Sequence, residues 1–234
     1  MTTPASNKSS RTDLYAAIHK ALRLFMGDTL GRLGAVDIDD ADECRTTFAQ
    51  VEALLEACRA HLAHENEFVH TAIEARRAGD SLRIAGEHDD HLDTIACLQA
   101  DLAALRALPT PAAAHRFYRH LARFVGDSLE HMNVEETTLN QALWAAYSDA
   151  ELEAIHQRLV ASIPADEMAL VLRWMVPALN PAERAALLGT MQQQLPPEAM
   201  RGVLDIVRPH LDDTAWGKLA RALRIPIAPG LVRA

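Results

Sequence analysis

Two segments of the sequence, HLAHENEF at 61–68 and HMNVEETTL at 131–139, each place a glutamate four positions after a histidine. The pairs are His61 with Glu65, and His131 with Glu135. Residues four apart lie on the same face of an α-helix, so each pair presents an imidazole nitrogen beside a carboxylate oxygen. Nitrogen and carboxylate oxygen donors without thiolate suit iron, manganese or zinc. The two segments therefore predict a metal site.

Other histidines can be sorted by helical phase, because an α-helix advances about 100° per residue. His19 falls on the apolar face of the first predicted helix, which also carries Leu22 and Phe25. In the third predicted helix, His88 and His91 fall within the apolar stripe. His70 is nine positions after His61, about 180° around the helix, which predicts a solvent-facing side chain. Each of four helices is thus predicted to direct at least one imidazole inward.

A single inward histidine is more often a hydrogen-bonded core residue than a metal ligand. A buried glutamate is different, because an unpaired carboxylate in an apolar core is costly. A metal centre would satisfy all the inward groups together, with glutamates able to bridge two ions and imidazoles in terminal positions. Five histidines and two carboxylates suffice for two ions and leave a coordination position open. The predicted ligands are His19, His61, Glu65, His88, His91, His131 and Glu135.

The elements that position these residues can be inferred from the prolines, which are absent between Pro4 and Pro109. Four long helices are predicted, at about 12–33, 41–78, 81–108 and 112–147. Short connections favour an up-down-up-down four-helix bundle over 12–147, after a disordered lead-in at 1–11. A C-terminal extension, 148–234, is predicted to form short helices at about 149–161, 165–176, 181–194, 197–208 and 212–224. Ser148 with Glu151, and Asn180 with Glu183, are capping-box signals within it. The fold class is all-α.

The composition argues against several classes of partner and location. The net charge of −9 and the lack of a Lys/Arg-rich run argue against nucleic acid. The three cysteines form neither a disulfide framework nor a CxxC metal motif, which favours reduced thiols in a cytoplasmic protein. The N-terminal residues have no apolar run, so we expect neither a signal peptide nor a membrane anchor, and no stretch approaches the length of a membrane span.

In the order and spacing of these histidines and glutamates, residues 12–147 resemble a hemerythrin-like (HHE cation-binding) domain. That family takes one histidine from the first helix, HxxxE from the second, histidine from the third, and HxxxE or HxxxxD from the fourth. The resemblance implies two non-heme iron ions, oxo- and carboxylate-bridged. It makes Glu65 and Glu135 the bridges, with His19, His61, His88 and His131 as further ligands.

Third-helix histidines are four apart in the blood-pigment members of that family, whereas His88 and His91 are three apart here. His91 is the predicted fifth histidine ligand. The segment WMVPALNPAERAALLGTM, 174–191, is similar to a helical extension on some bacterial hemerythrin-like proteins.

The function implied is reversible binding of a small diatomic molecule, O2 or NO, or sensing of oxygen, peroxide or iron. Histidine-rich ligation resembles oxygen binding more than oxygen activation, and ferritin-like sites use the reverse order, Glu-x-x-His. A di-iron peroxidase-like or iron–sulfur repair enzyme is an alternative that ranks lower, because no organic substrate pocket is identified. A third alternative is an interaction module with a structural metal, in which the extension docks on the bundle or forms a homodimer.

Overall fold

The computed structural model describes residues 11–226, and every regular element in this range is helical, which confirms the all-α prediction. Of the predicted disordered lead-in, 1–11, only Arg11 belongs to the described residues, and 1–10 lie outside them. No helix in this range is long and apolar enough to cross a membrane. The α-helices are α1 (Ala16–Ala35), α2 (Ala41–His64), α3 (Thr71–Arg76), α4 (Leu82–Ala107), α5 (Pro111–Val134), α6 (Asn140–Ala146), α7 (Asp149–Ser162), α8 (Ala165–Ala178), α9 (Pro181–Gln194), α10 (Pro197–Val207) and α11 (Asp213–Leu223).

Contacts divide the described residues into two compact units. The first comprises residues 11–16 and 58–162, and the second comprises 17–57 and 163–226. The up-down-up-down arrangement of the four long helices stays a prediction, and each unit is described by itself.

In the first unit, α4 and α5 pack against each other across a short turn. Thr110 ends that turn by accepting a hydrogen bond from the backbone N–H of Ala113, and Pro111 occupies the first position of α5. A second contact joins α3 to α6. The core beneath these helices consists of Tyr15, Val69, Ile73, Ile84, Leu139, Leu143, Leu152 and Ile155.

Two of the predicted long helices contain a π-helical turn. Glu65–His70 lies between α2 and α3, and Glu135–Leu139 lies between α5 and α6. The backbone N–H of Asn140 donates to the carbonyl of Glu135, five residues earlier, which is the π-helical hydrogen-bond pattern. Each π-helix therefore begins at one of the two glutamates predicted to bind metal.

The start of α7 carries one of the predicted capping boxes. The carboxylate of Glu151 accepts hydrogen bonds from the backbone N–H and the hydroxyl of Ser148. It also accepts one from Arg76 at the end of α3, at 2.6 Å. These contacts confirm the capping-box prediction and fix α7 to the helix that follows the first π-turn.

In the second unit, α8–α11 enclose a core that includes Leu172, Val176, Leu188, Met200, Val203, Val207, Leu211, Trp216, Leu219 and Leu223. The predicted capping box of Asn180 and Glu183 is present at the start of α9. Phe25 of α1 stacks on Trp174 with ring centroids 4.1 Å apart, and Lys20 pairs with Glu183 at 2.6 Å. Part of the predicted extension thus packs directly on α1.

Candidate metal centre

The first unit gathers histidines and glutamates from several helices at one buried point. One ligand atom from each of Glu65, His88, His131 and Glu135 lies within 4.8 Å of the other three. These four side chains are at most 5% exposed. An atom of His61 lies within the same limit of Glu65 and Glu135. Five of the seven predicted ligands are therefore brought together in this unit.

The close contacts in the cluster join imidazole nitrogens to carboxylate oxygens. Nε2 of His61 lies 3.3 Å from Glu65 Oε1. Nε2 of His88 lies 3.7 Å from Glu65 Oε2 and 3.3 Å from Glu135 Oε1. Nε2 of His131 lies 3.2 Å from the same Glu135 oxygen. Each glutamate therefore faces two imidazoles.

Outer hydrogen bonds fix the orientation of two of these rings. Nδ1 of His88 donates to Asn66 Oδ1 at 2.8 Å, and Nδ1 of His131 donates to the Glu87 carboxylate at 2.9 Å. A neutral imidazole with its hydrogen on Nδ1 carries a lone pair on Nε2. In both rings that lone pair faces a carboxylate oxygen, so the contact needs an added proton or a metal cation. Histidine ligands of metals are oriented by outer partners in this way.

The electrostatics of the cluster favour a cation. Burial by itself lowers the pKa of His131, but the facing carboxylates of Glu135 and Glu87 outweigh burial and raise it. Burial, followed by the charges of Glu65 and Glu135, raises the pKa of Tyr15 well above its ordinary value. The contributions of the carboxylates to both shifts report a negative potential in a buried region, which is where a metal cation would be stabilised.

The donor set fits a first-row transition metal. Metal–nitrogen and metal–oxygen bonds are about 2.1 Å long, so two ligands at right angles on one ion lie about 3 Å apart. The nitrogen–oxygen separations of 3.2 to 3.7 Å are close to that value. Imidazole and carboxylate donors without sulfur suit iron, zinc or manganese. Buried histidine and glutamate groups that could hold a metal ion are thus present.

Two predicted ligands are not among these five residues of the first unit. His19 is buried on α1, within the second unit, and its role as a ligand stays a prediction. His91 is partly exposed, and its ring meets His131 edge-on at 4.8 Å and Phe124 at 5.8 Å. Burial, together with the neighbouring His131 and His88, lowers the pKa of His91. Its role as a ligand also stays a prediction.

The prediction that His70 faces solvent is wrong. His70 is 5% exposed, and its ring stacks on His88 with centroids 4.7 Å apart. The π-turn that begins at Glu65 takes up one extra residue, so His70 has about the phase of an eighth residue after His61, near 80° instead of 180°. Burial and then the neighbouring His88 lower the pKa of His70 to about 4, which keeps this imidazole neutral.

Sequence reasoning also missed the side chains that orient the ligands. In the sequence, Asn66 directly follows Glu65, and Glu87 directly precedes His88. The only signal for these two residues was that each is adjacent to a predicted ligand. Each bonds a histidine of another helix, however, and such a pairing depends on how the helices pack.

No model of a known protein family matches the sequence, and no curated protein is significantly similar to it. The resemblance to hemerythrin-like domains therefore depends on the order and spacing of the histidines and glutamates.

Proposed function

We propose that this chain is a non-heme di-iron protein of the hemerythrin-like kind, which binds O2 or NO reversibly or reports on oxygen, peroxide or iron. One observation carries the proposal. The Nε2 lone pairs of His88 and His131 converge on one buried oxygen of Glu135, at 3.3 and 3.2 Å. Such an arrangement is unfavourable without a cation, because all three atoms are acceptors when the imidazoles are neutral.

The glutamates support a pair of ions. Glu65 and Glu135 belong both to the group around His88 and His131 and to the group around His61. Two neighbouring groups that share two carboxylates are suited to two ions with bridging carboxylates. In this proposal the three histidines are terminal ligands, and Glu65 and Glu135 are the bridges.

Bound iron would supply a centre that can change oxidation state and bind a small ligand. The protein supplies neutral imidazole donors, two negative charges and a buried environment. Because Nδ1 of His88 and of His131 is already held by Asn66 and Glu87, both rings are oriented before the metal binds. Preorganised ligands lower the cost of ordering the site and hold the coordination geometry when the small ligand enters.

The interaction-module alternative has one supporting observation. Residues of the extension stack on and pair with α1, through Phe25 with Trp174 and Lys20 with Glu183. These contacts favour an extension that docks on its own chain over one that is available for a homodimer.

The function is tested by loading the full chain with Fe(II) without oxygen and then following absorption on exposure to air and to NO. We expect charge-transfer bands with air that reverse when oxygen is removed, and a different spectrum with NO. Sustained turnover of added peroxide would favour the enzyme alternative. Loaded iron whose spectrum responds to neither gas would contradict diatomic binding.

A further inference from the structure

The side chain of His70 is buried in the first unit. Within residues 11–226, neither Nδ1 nor Nε2 of this ring has a hydrogen-bond partner. Burying a polar group without a partner destabilises the folded state. A phenylalanine would fill the same space against His88 without that penalty, so packing alone does not explain an imidazole here.

The backbone places this ring at the metal centre. A π-helix is rare, is found mostly as a single turn inside an α-helix, and is frequent at functional sites. Here the π-turn begins at Glu65 and ends at His70. Without it, His70 would lie about 180° from His61, as helical phase predicts. The π-turn is what moves His70 to the buried side, where it stacks on His88.

The second glutamate helix repeats this arrangement. Nine positions after His131 and five after Glu135 lies Asn140, just as His70 lies nine after His61 and five after Glu65. Asn140 is fully buried and directly follows the second π-turn. Its Nδ2 donates to the carbonyl of Glu136 at 3.2 Å, while its Oδ1 has no hydrogen-bond partner among the described residues. A buried side chain with an unused donor atom for a metal thus lies at the last position of the first π-turn and directly after the second.

On the basis of the proposed function, we propose that His70 is a metal ligand, taking the fifth histidine position beside His88. Asn140 is its counterpart next to Glu135, with a weaker oxygen donor. His91 is the competing candidate, but it is partly exposed and packs edge-on against His131 and Phe124. Of the two, His70 is the one whose buried nitrogens have no hydrogen-bond partner in the described part of the chain.

The test substitutes His70→Phe, which keeps a ring in the stack and removes only the nitrogens. Full-length wild type and variant are titrated with Co(II) in competition with a chromophoric chelator, and the visible spectrum of bound Co(II) is recorded. Loss of an outer partner of a metal ligand typically weakens affinity 10- to 100-fold, so loss of a ligand is expected to weaken it about 100-fold or more. The Co(II) spectrum should also change. His156→Phe, an exposed position on α7, is the matched control and should bind as the wild type does.

Stability without metal separates a ligand from a packing residue. If His70 serves the metal, His70→Phe removes two buried polar atoms and should leave the melting temperature of the metal-free protein unchanged or higher. If the ring nitrogens of His70 instead serve the fold, the metal-free variant should melt lower, and its Co(II) affinity and spectrum should match the wild type. The second result would overturn the proposal.

Two further measurements cover a variant that does not fold. His70→Asn introduces the residue type found at position 140 and should weaken Co(II) binding in the same direction. In wild-type protein loaded with Zn(II), the assigned 15N shifts of the His70 ring should show one metal-bound nitrogen. Two unbound nitrogens there would overturn the proposal while leaving the di-iron function intact. Wild-type protein that binds neither Co(II) nor Fe(II) would instead contradict the proposed function itself.

Discussion

Removal of the metal should lower thermal stability by an amount that follows from the position of the ligands. The donors lie on separate helices, with Glu65 and Glu135 far apart in the chain, so only the folded protein assembles them. An ion that binds the folded state alone stabilises it by about 2.7 kcal/mol when free metal is 100 times its Kd. For a chain of 234 residues, 1 kcal/mol corresponds to about 2 to 4 °C. The expected difference in melting temperature is therefore about 5 to 11 °C.

The assay is differential scanning calorimetry of the iron-loaded protein at a fixed free-metal concentration and of the chelator-treated protein. The double variant Glu65→Gln with Glu135→Gln keeps the side-chain volumes and removes both negative charges, so its melting temperature should not respond to metal. Equal melting temperatures for loaded and chelated wild type would refute the reasoning. So would a metal-dependent increase that survives in the double variant, because it would place the ion elsewhere.

Two further predictions concern carboxylates outside the predicted ligand set. Glu87→Gln removes the carboxylate that holds Nδ1 of His131, and it should weaken metal affinity about 10- to 100-fold without changing the number of ions bound. Chelator competition measures this, and unchanged affinity would show that the hydrogen bond does not orient the ring. Hydrogen bonds from Arg76 and from Ser148 lower the pKa of Glu151 from about 4.5 to about 2. The ionised carboxylate therefore stabilises the folded state fully above about pH 4.5. This stabilisation is lost as the pH falls through about 2. Metal-free Glu151→Gln should therefore melt below wild type at pH 7, and the difference should shrink below pH 4.5. A difference that is constant down to pH 2.5 would contradict this origin.

Much of the fold could be predicted from local sequence. The range 181–194 coincides with the observed α9, because Asn180, Pro181 and Glu183 specify its start within four residues. Glu65, Glu135 and three histidines of the cluster, His61, His88 and His131, could be placed inward because ordinary helical phase holds up to the start of each π-turn.

The π-turns could not be predicted, and they account for the error at His70. The sequences ENEFVH and EETTL contain neither proline nor glycine, and nothing in their composition distinguishes them from α-helix. Whether a π-turn forms depends on the tertiary contacts that the extra residue allows. Here the first π-turn allows His70 to be buried beside His88. The partners of the ligands, such as Asn66 for His88, require the packing of one helix on another for the same reason.

The most direct test of the central claim is the iron content of the purified full chain after anaerobic loading with Fe(II) and removal of unbound ion. The proposed function predicts about two iron ions per chain, since two groups of possible ligands share Glu65 and Glu135. The double variant Glu65→Gln with Glu135→Gln should retain close to none. A stably folded wild-type protein that retains no iron, or a double variant that retains as much as wild type, would contradict the claim that these residues form a metal centre.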